Sequence, residues 1–196
     1  MVYHPDSPIL GPSAPDAAAW CARAIMRQPH GEYTATDVQT IVAAYAATCR
    51  TAGLDVCMVV AQMIHETGNL SSWWAQRPRR NPAGIGVTGR TSSTPPTSGS
   101  WAHQGACWLE GCVFQTWADD AIPAHIGRLL AYALPPGAGT TAQQALIMRA
   151  LLVRPMPLTV RGIAAATGWQ ALNGRWAVPG TDYAQKLARI AERIAR

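Results

Sequence analysis

Apolar and polar positions along the chain alternate in blocks that favour helices over strands. The most uniform block runs from Val56 to Ile64 and is interrupted only by Gln62. A run that is apolar on every side predicts a helix buried on all faces rather than an amphipathic surface helix. Asp55 is suited to cap its N-terminus, and Gly68 is suited to the left-handed turn that ends a helix. The pattern therefore predicts a central helix over residues 55–67, around which the rest of the chain must pack.

Weaker periodic patterns predict six further helices. Their approximate ranges are 15–26, 36–50, 119–133, 141–153, 159–167 and 182–195, and the expected N-caps are Thr36, Thr140, Thr159 and Thr181. Residues 101–117 instead predict short strands around a turn at Glu110-Gly111, after a Ser-, Thr- and Pro-rich mobile loop at 87–100. The predicted fold class is mainly α (α+β), with a small β-hairpin lobe. We divide the chain into an N-terminal arm and helix, residues 1–35, and a main domain, residues 36–196.

Composition and charge narrow the range of functions. With 48% hydrophobic and 14% charged residues among 196, the chain can bury a substantial core. It contains no apolar run of about 18 residues, so we expect no membrane insertion. Its N-terminus lacks the basic and apolar regions of a secretory signal. The net charge of 16 − 11 = +5 favours an anionic polymer as partner. Basic runs with interleaved aromatics are missing, so we expect no nucleic-acid partner.

The five cysteines do not follow a metal-binding pattern. They form no C-x-x-C pair with the histidine spacing of a zinc site, and the pair His65 and His103 lacks a companion carboxylate. We therefore expect no metal and no other cofactor. Cys107 and Cys112 flank the predicted hairpin turn and are predicted to lie close enough to form a disulfide. Cys49 and Cys57 could join neighbouring helices, although buried free thiols fit the sequence equally well.

Glu66 is the candidate for acid–base chemistry, because it falls in the last turn of the predicted buried helix. Burial and the negative end of the helix dipole both raise the pKa of a carboxyl group at such a position. A carboxylic acid that stays protonated near neutral pH can act as the general acid that cleaves a glycosidic bond. Gln62 lies one turn earlier on the same face, and Trp73 and Trp74 offer flat apolar faces on which sugar rings can stack.

Two blocks of sequence, AQMIHETGNLSS and NPAGIGV, resemble the glucosaminidase family, glycoside hydrolase family 73, also described as mannosyl-glycoprotein endo-β-N-acetylglucosaminidase-like domains. The matching residues are Ala61, Gln62, Glu66, Thr67, Gly68, Ser72, Asn81, Gly84 and Ile85. Weaker matches follow at Val113–Trp117, at Trp176-Ala177 and at Asp182–Leu187, so the resemblance covers the chain from about Val38 to its C-terminus. It implies a lysozyme-like fold.

The resemblance also implies a peptidoglycan hydrolase that cleaves β-1,4 glycosidic bonds of the glycan strand, an endo-β-N-acetylglucosaminidase with Glu66 as general acid. Most glycosidases use two carboxylates. The family's second acid falls at Trp101–Gln104, where this chain has no acid, and Glu110 is the expected substitute. Without it, the substrate's acetamido group could assist the reaction. A lytic transglycosylase, in which a sugar hydroxyl is the nucleophile, is the alternative on the same fold.

The expected substrate contacts combine residues of the matched blocks with nearby tryptophans. They are Gln62, Trp73, Trp74, Asn81, Trp101, Trp108, Trp176 and Tyr183, and Trp176 replaces a family tyrosine that lies near the acid. The expected partner of a monomeric protein is the peptidoglycan glycan strand, and the expected site of action is the bacterial cell wall. Without a signal, the protein would be released by a holin, carried by a phage particle or exported by a non-classical route. A non-catalytic wall-binding or structural module is the alternative from another class.

Overall fold

The structure is a computed structural model that describes residues 2–176 and 180–196. The described part contains six α-helices: α1 (Ala17–Met26), α2 (Ala35–Ala52), α3 (Val56–Thr67), α4 (Ile122–Ala133), α5 (Thr141–Val153) and α6 (Tyr183–Ile194). Three short strands, β1 (Thr91–Ser92), β2 (Trp101–Gln104) and β3 (Cys107–Glu110), form an antiparallel sheet in the order β1-β3-β2. The predicted mainly α (α+β) class, with a small β-lobe, is confirmed.

Helix α3 is the central element that the apolar run predicts. Its residues 56–63 are all buried, and α1, α2 and α6 pack against it. The Asp55 carboxylate caps the helix by accepting a hydrogen bond from the backbone N–H of Cys57 at 2.7 Å. Gly68 ends it with a φ of 54°, a conformation that glycine adopts without strain. Glu66 is thereby held in the last turn of this buried helix.

A single hydrophobic core joins the N-terminal segment to the rest of the described chain. Tyr3 and Ile9 from the arm and Cys21 and Ile25 from α1 belong to the same buried cluster as the residues of α3 and α6. The arm also crosses to the α2–α3 connection, where Leu10 forms an isolated antiparallel bridge with Leu54. The arm and α1 therefore cover one side of the central helix.

Two of the predicted N-caps need correction, and one is confirmed. Thr34 rather than Thr36 caps α2, in a capping box with Asp37 in which each side chain accepts a hydrogen bond from the other residue's backbone N–H. Thr140 caps α5 as predicted, in the same arrangement with Gln143. Helix α6 begins after Asp182, so Thr181 is not its N-cap.

The helix predicted at 159–167 does not form. A short 3₁₀ turn, Leu158–Val160, is followed by irregular turns and a second 3₁₀ turn, Gly168–Leu172. Gly162 and Gly168 adopt φ values of 73° and 59°, which interrupt a right-handed helix. A π-helical turn at Trp117–Ala121 likewise precedes α4, within the single helix predicted for 119–133.

The hairpin turn of the β-lobe lies at Gly105-Ala106 and not at Glu110-Gly111. Strands β2 and β3 pair with Gln104 opposite Cys107 and Trp101 opposite Glu110. Cys107 and Cys112 therefore follow one another along nearly extended chain, where five residues span roughly 16 Å. This separation exceeds the limit of about 7 Å for a disulfide. The predicted Cys107–Cys112 bridge is wrong.

All five cysteines are free thiols in the structure, and only Cys107 is exposed. The neighbour of Cys57 is Cys21, at an Sγ–Sγ distance of 3.9 Å, rather than Cys49.

We expect a thiol reagent to label one cysteine rapidly in the native protein and all five after denaturation. Titration of native and unfolded protein checks this, and a Cys107→Ser variant should show no rapid labelling. Two thiols too few in the unfolded, unreduced protein would reveal a disulfide.

Candidate active site

Glu66 lies half-buried at the C-terminal end of α3, with its two carboxyl oxygens in different surroundings. Oε1 accepts a hydrogen bond of 2.6 Å from the hydroxyl of Tyr183. Oε2 faces the backbone of Gly84, where an added Cβ would lie 3.7 Å away. Burial raises the pKa of Glu66, and the hydrogen bond from Tyr183 opposes part of that rise. The carboxyl group therefore has one oxygen held by the protein and one directed towards the loop after residue 81.

A buried chain of hydrogen bonds runs from Glu66 back into the core. The Tyr183 hydroxyl accepts from Gln62 Nε2 at 2.8 Å, and Gln62 Oε1 lies 2.9 Å from His125 Nε2. His125 Nδ1 in turn lies 3.0 Å from the hydroxyl of Tyr45. The four supporting side chains are all buried. Side chains from four helices, α2, α3, α4 and α6, thus act together to position the carboxyl group of Glu66.

The direction of this chain follows from the protonation state of His125. Burial lowers the pKa of His125 to about 3, so the imidazole is neutral and carries a single N–H. Gln62 donates to Tyr183 through Nε2, so its Oε1 must accept, and the proton of His125 is on Nε2. Nδ1 then accepts from Tyr45, and every donor in the chain points towards Glu66. Because Oε1 already accepts from Tyr183, the acidic proton of Glu66 belongs on Oε2.

Asn81 organises the loop that faces Glu66. Its side-chain oxygen accepts from the backbone N–H of Ile85 at 2.8 Å, and its nitrogen donates to the carbonyls of Ile85 and Cys112 at 2.8 and 3.0 Å. The carbonyl of Ile85 also accepts from the backbone N–H of Cys112. These bonds join the segment Gly84-Ile85-Gly86, which we call the glycine segment, to the end of the β-lobe.

The structure corrects the predicted roles of three substrate-contact residues. Gln62, Asn81 and Tyr183 are buried, and their polar atoms are occupied by the hydrogen bonds described above. They therefore hold the acid and the glycine segment in place and do not present a surface to a sugar. Sequence reasoning missed His125 and Tyr45. The only indication in the sequence is that His125 lies within the apolar segment before Arg128. This position does not show that His125 contacts Tyr45 and Gln62.

The tryptophans near the site are half-buried, and each has neighbours that occupy part of its surface. The guanidinium of Arg79 lies 3.8 Å from the ring centroid of Trp73, and Trp73 meets Trp74 edge-on at 4.9 Å. Trp74 packs so closely on Gly111 that a side chain there would overlap its indole. It therefore supports the junction between the β-lobe and the helices.

Three other predicted contacts lie in the β-lobe and beside α4. Trp101 donates its indole N–H to the carbonyl of Ser98 at 2.8 Å, and Trp108 lies 5.0 Å from the ring of His103. Trp176 lies 5.9 Å, between ring centroids, from both His125 and Tyr132. Ala177, which belongs to the same matched block as Trp176, lies outside the described residues.

Glu110 lies at the end of β3, opposite Trp101. Its carboxylate accepts a hydrogen bond from the hydroxyl of Thr88 and forms a 3.3 Å ion pair with Arg90. Both oxygens are therefore engaged within the lobe. The Glu110 carboxylate is thus held by the β-lobe itself and forms no hydrogen bond with Glu66 or Tyr183.

A pocket of about 650 Å³ lies elsewhere, between the N-terminal arm and α2. Its lining is mainly apolar and contains Leu10, Ala18, Ala46 and Leu54, with no carboxylate. Glu66 therefore does not line this pocket. Within residues 2–176 and 180–196, no group of three or more His, Cys, Asp or Glu side chains could hold a metal ion.

Comparison with known proteins gives no family model, no curated protein and no solved structure that matches this chain. Inferences about its function therefore start from the geometry around Glu66 and from the sequence blocks that contribute to it.

Proposed function

We propose that the protein cleaves β-1,4 glycosidic bonds in the glycan strands of peptidoglycan, as an endo-β-N-acetylglucosaminidase on a lysozyme-like fold, with Glu66 as general acid. The observation that carries the proposal is the asymmetric setting of the Glu66 carboxyl group. One oxygen is fixed by Tyr183, and the other is directed at a loop whose glycine leaves room beside it. The blocks that resemble glucosaminidases contain both this acid and that glycine.

The hydrogen-bond chain serves both halves of a proton transfer. Before the reaction, burial favours the protonated carboxyl group, whose proton on Oε2 can pass to the glycosidic oxygen. As the leaving group departs, negative charge develops on Glu66. The Tyr183 hydroxyl then donates to a carboxylate, and such charge-assisted hydrogen bonds are roughly twice as strong as neutral ones. The same contact therefore positions the acid and stabilises its conjugate base.

A lytic transglycosylase is the second candidate, and the setting of Glu110 favours it. Of the two predicted catalytic acids, Glu110 has both oxygens engaged by Thr88 and Arg90, whereas Glu66 has only Oε1 engaged, by Tyr183. A single general acid suffices when a sugar hydroxyl is the nucleophile. It also suffices when the substrate's acetamido group assists hydrolysis.

Product analysis distinguishes these reactions. Purified peptidoglycan is digested, and the released fragments are identified by mass spectrometry. Hydrolysis adds one water to each cleaved bond, whereas transglycosylation leaves an anhydro sugar. The identity of the new reducing end shows which of the two alternating bonds is cut. If the protein binds peptidoglycan but gives no cleared band in a zymogram gel and releases no fragments, it is a non-catalytic binding module instead.

We expect Glu110→Gln to reduce cleavage much less than Glu66→Gln, with a ratio of at least about tenfold, which corresponds to about 1.4 kcal/mol of transition-state stabilisation. The reason is that the Glu110 carboxylate is committed to Thr88 and Arg90. Rates on the same peptidoglycan preparation measure the ratio, and Arg90→Gln, which frees the carboxylate without removing it, is the matched control. Equal losses from the two glutamate variants, with folding preserved, would establish a two-carboxylate mechanism.

The proposed place of action is the bacterial cell wall, reached as a phage or prophage lysin released by a holin, by carriage on a phage particle or by non-classical export. A monomer with a net charge of +5 suits attraction to the anionic polymers of the wall. In the part of the chain that the structure describes, every helix is too short or too polar to cross a membrane.

A further inference from the structure

Two arginines lie beside the proposed active site. Arg128, on α4, places its guanidinium carbon 5.9 Å from the ring centroids of both Tyr132 and Trp176. Arg154, the residue after α5, has its Nη1 atom 3.7 Å from the position of a Cβ added to Gly86. Arg128 Nη1 also donates to the backbone carbonyl of Arg154 at 3.4 Å. The two side chains are therefore neighbours at one end of the glycine segment.

These arginines have no carboxylate to balance their charge. The ion pairs within residues 2–176 and 180–196 involve Arg77, Arg90, Arg149 and Lys186, and neither Arg128 nor Arg154 takes part in one. Burial lowers the pKa of Arg128 and the positive charge of Arg154 acts in the same direction, while the side chains of Tyr132 and Cys112 oppose part of that shift. A partly buried cation next to a like charge is unfavourable unless an anion compensates it.

The pair lies close to the acid along the glycine segment. Gly84 faces Glu66 Oε2 and Gly86 faces Arg154 Nη1. Two residues of chain span at most about 7 Å, so with the two contacts and the Cα–Cβ bonds included the Arg154 guanidinium lies within roughly 17 Å of the Glu66 carboxyl group. Arg128 is also linked to the buried hydrogen-bond chain through Trp176, whose ring centroid lies 5.9 Å from that of His125.

We propose that Arg128 and Arg154 form a subsite for a carboxylate on the same substrate strand that Glu66 cleaves. This inference rests on the proposed function and deepens it. Every second sugar of peptidoglycan carries a lactyl ether, whose carboxyl group is free in strands without peptides and amide-linked where a peptide stem is attached. The carboxylate could therefore come from the lactyl group or from the stem. Guanidinium groups suit either source, because they bind carboxylates through paired hydrogen bonds.

The test measures binding to the Glu66→Gln variant, which leaves the ligands uncut. Calorimetry compares three oligosaccharides of equal length: a chitin oligosaccharide without carboxylates, a peptidoglycan strand without stems and a strand with stems. We expect a carboxylate-bearing strand to bind at least roughly tenfold more tightly than the chitin oligosaccharide, the effect of a hydrogen bond to a charged group. Preference for the stem-free strand identifies the lactyl carboxylate, and preference for the stem-bearing strand identifies a stem carboxylate.

Arginine variants, each made in the Glu66→Gln background, assign the preference to this pair. We expect Arg128→Gln and Arg154→Gln each to remove most of it, and Arg128→Lys to retain part of it because a point charge remains. Arg23→Gln is the matched control: it removes one exposed positive charge from α1, whose main packing partners are α2, α3 and α6. It should keep the full preference.

Two results would overturn the subsite. Equal affinity for all three ligands would do so, as would a preference that survives both glutamine variants. The proposed function fails in a different way, with no binding of any of the three ligands and no cleavage of peptidoglycan by the wild-type protein.

Discussion

Replacement of Glu66 by glutamine should reduce glycan cleavage by about 10²–10⁴-fold, the usual cost of removing a general acid, while the fold is retained. The amide cannot release a proton to the glycosidic oxygen. It has nearly the same shape as the carboxyl group, and its carbonyl can still accept the hydrogen bond from Tyr183. Initial rates on purified peptidoglycan, together with the melting temperature, check this expectation.

The matched control for this experiment is Glu192→Gln, which makes the same chemical change on α6, nine residues beyond Tyr183. It should leave the rate unchanged. The proton-donor role of Glu66 would be wrong if Glu66→Gln kept more than half of the wild-type rate with an unchanged melting temperature. Residual activity is expected to be insensitive to pH near the pKa of Glu66, because the group that titrates there has been removed.

Acidification should destabilise the protein through His125. The folded-state pKa of this histidine is about 3 and lies below the value of about 6.5 for an unfolded chain. Below pH 6.5 the unfolded state therefore binds a proton that the folded state excludes. Above pH 6.5 this difference in proton binding has almost no effect on stability. As the pH falls from 6.5 towards 3, it lowers the free energy of unfolding. Its slope approaches about 1.4 kcal/mol per pH unit, so the loss at pH 5 is roughly 2 kcal/mol.

Urea denaturation of the wild type and of His125→Gln at pH 7 and pH 5 isolates this effect. The glutamine does not titrate, so its stability should fall by about 2 kcal/mol less than that of the wild type across this interval. The comparison is needed because Glu66 and Asp55 have raised folded-state pKa values and act with the opposite sign. Parallel losses in both proteins would mean that the buried imidazole is already protonated at pH 7 or that it remains exposed to solvent.

His125→Gln also bears on the hydrogen-bond chain, because at pH 7 it leaves Tyr45 and Gln62 without their shared partner. An unsatisfied buried polar group costs about 1–3 kcal/mol, so the variant should be less stable than the wild type at pH 7 even though it resists acid better. The two curves should therefore converge as the pH falls.

The sequence alone predicted those helices whose formation depends only on residues close together in the chain. The apolar run at Val56 to Ile64 requires burial on every side, and Asp55 and Gly68 supply its cap and its end, so α3 formed as predicted. Thr140 capped α5 for the same reason. The position of Glu66 at the end of a buried helix could also be predicted from the sequence, because it depends only on the spacing of residues along α3.

The tertiary structure alone decided how distant residues pair. Periodicity reports whether a side chain is buried, but not which side chain it meets, so the order Tyr45, His125, Gln62, Tyr183 could not be read from four separate helices. The hairpin turn moved from Glu110-Gly111 to Gly105-Ala106 because the cross-strand register, and not local turn propensity, sets which residues face one another. That register separated Cys107 from Cys112. The charges of Arg128 and Arg154, which take part in no ion pair among the described residues, likewise became visible only once the fold had brought the middle of α4 beside the end of α5. Charge balance is a property of neighbours in space.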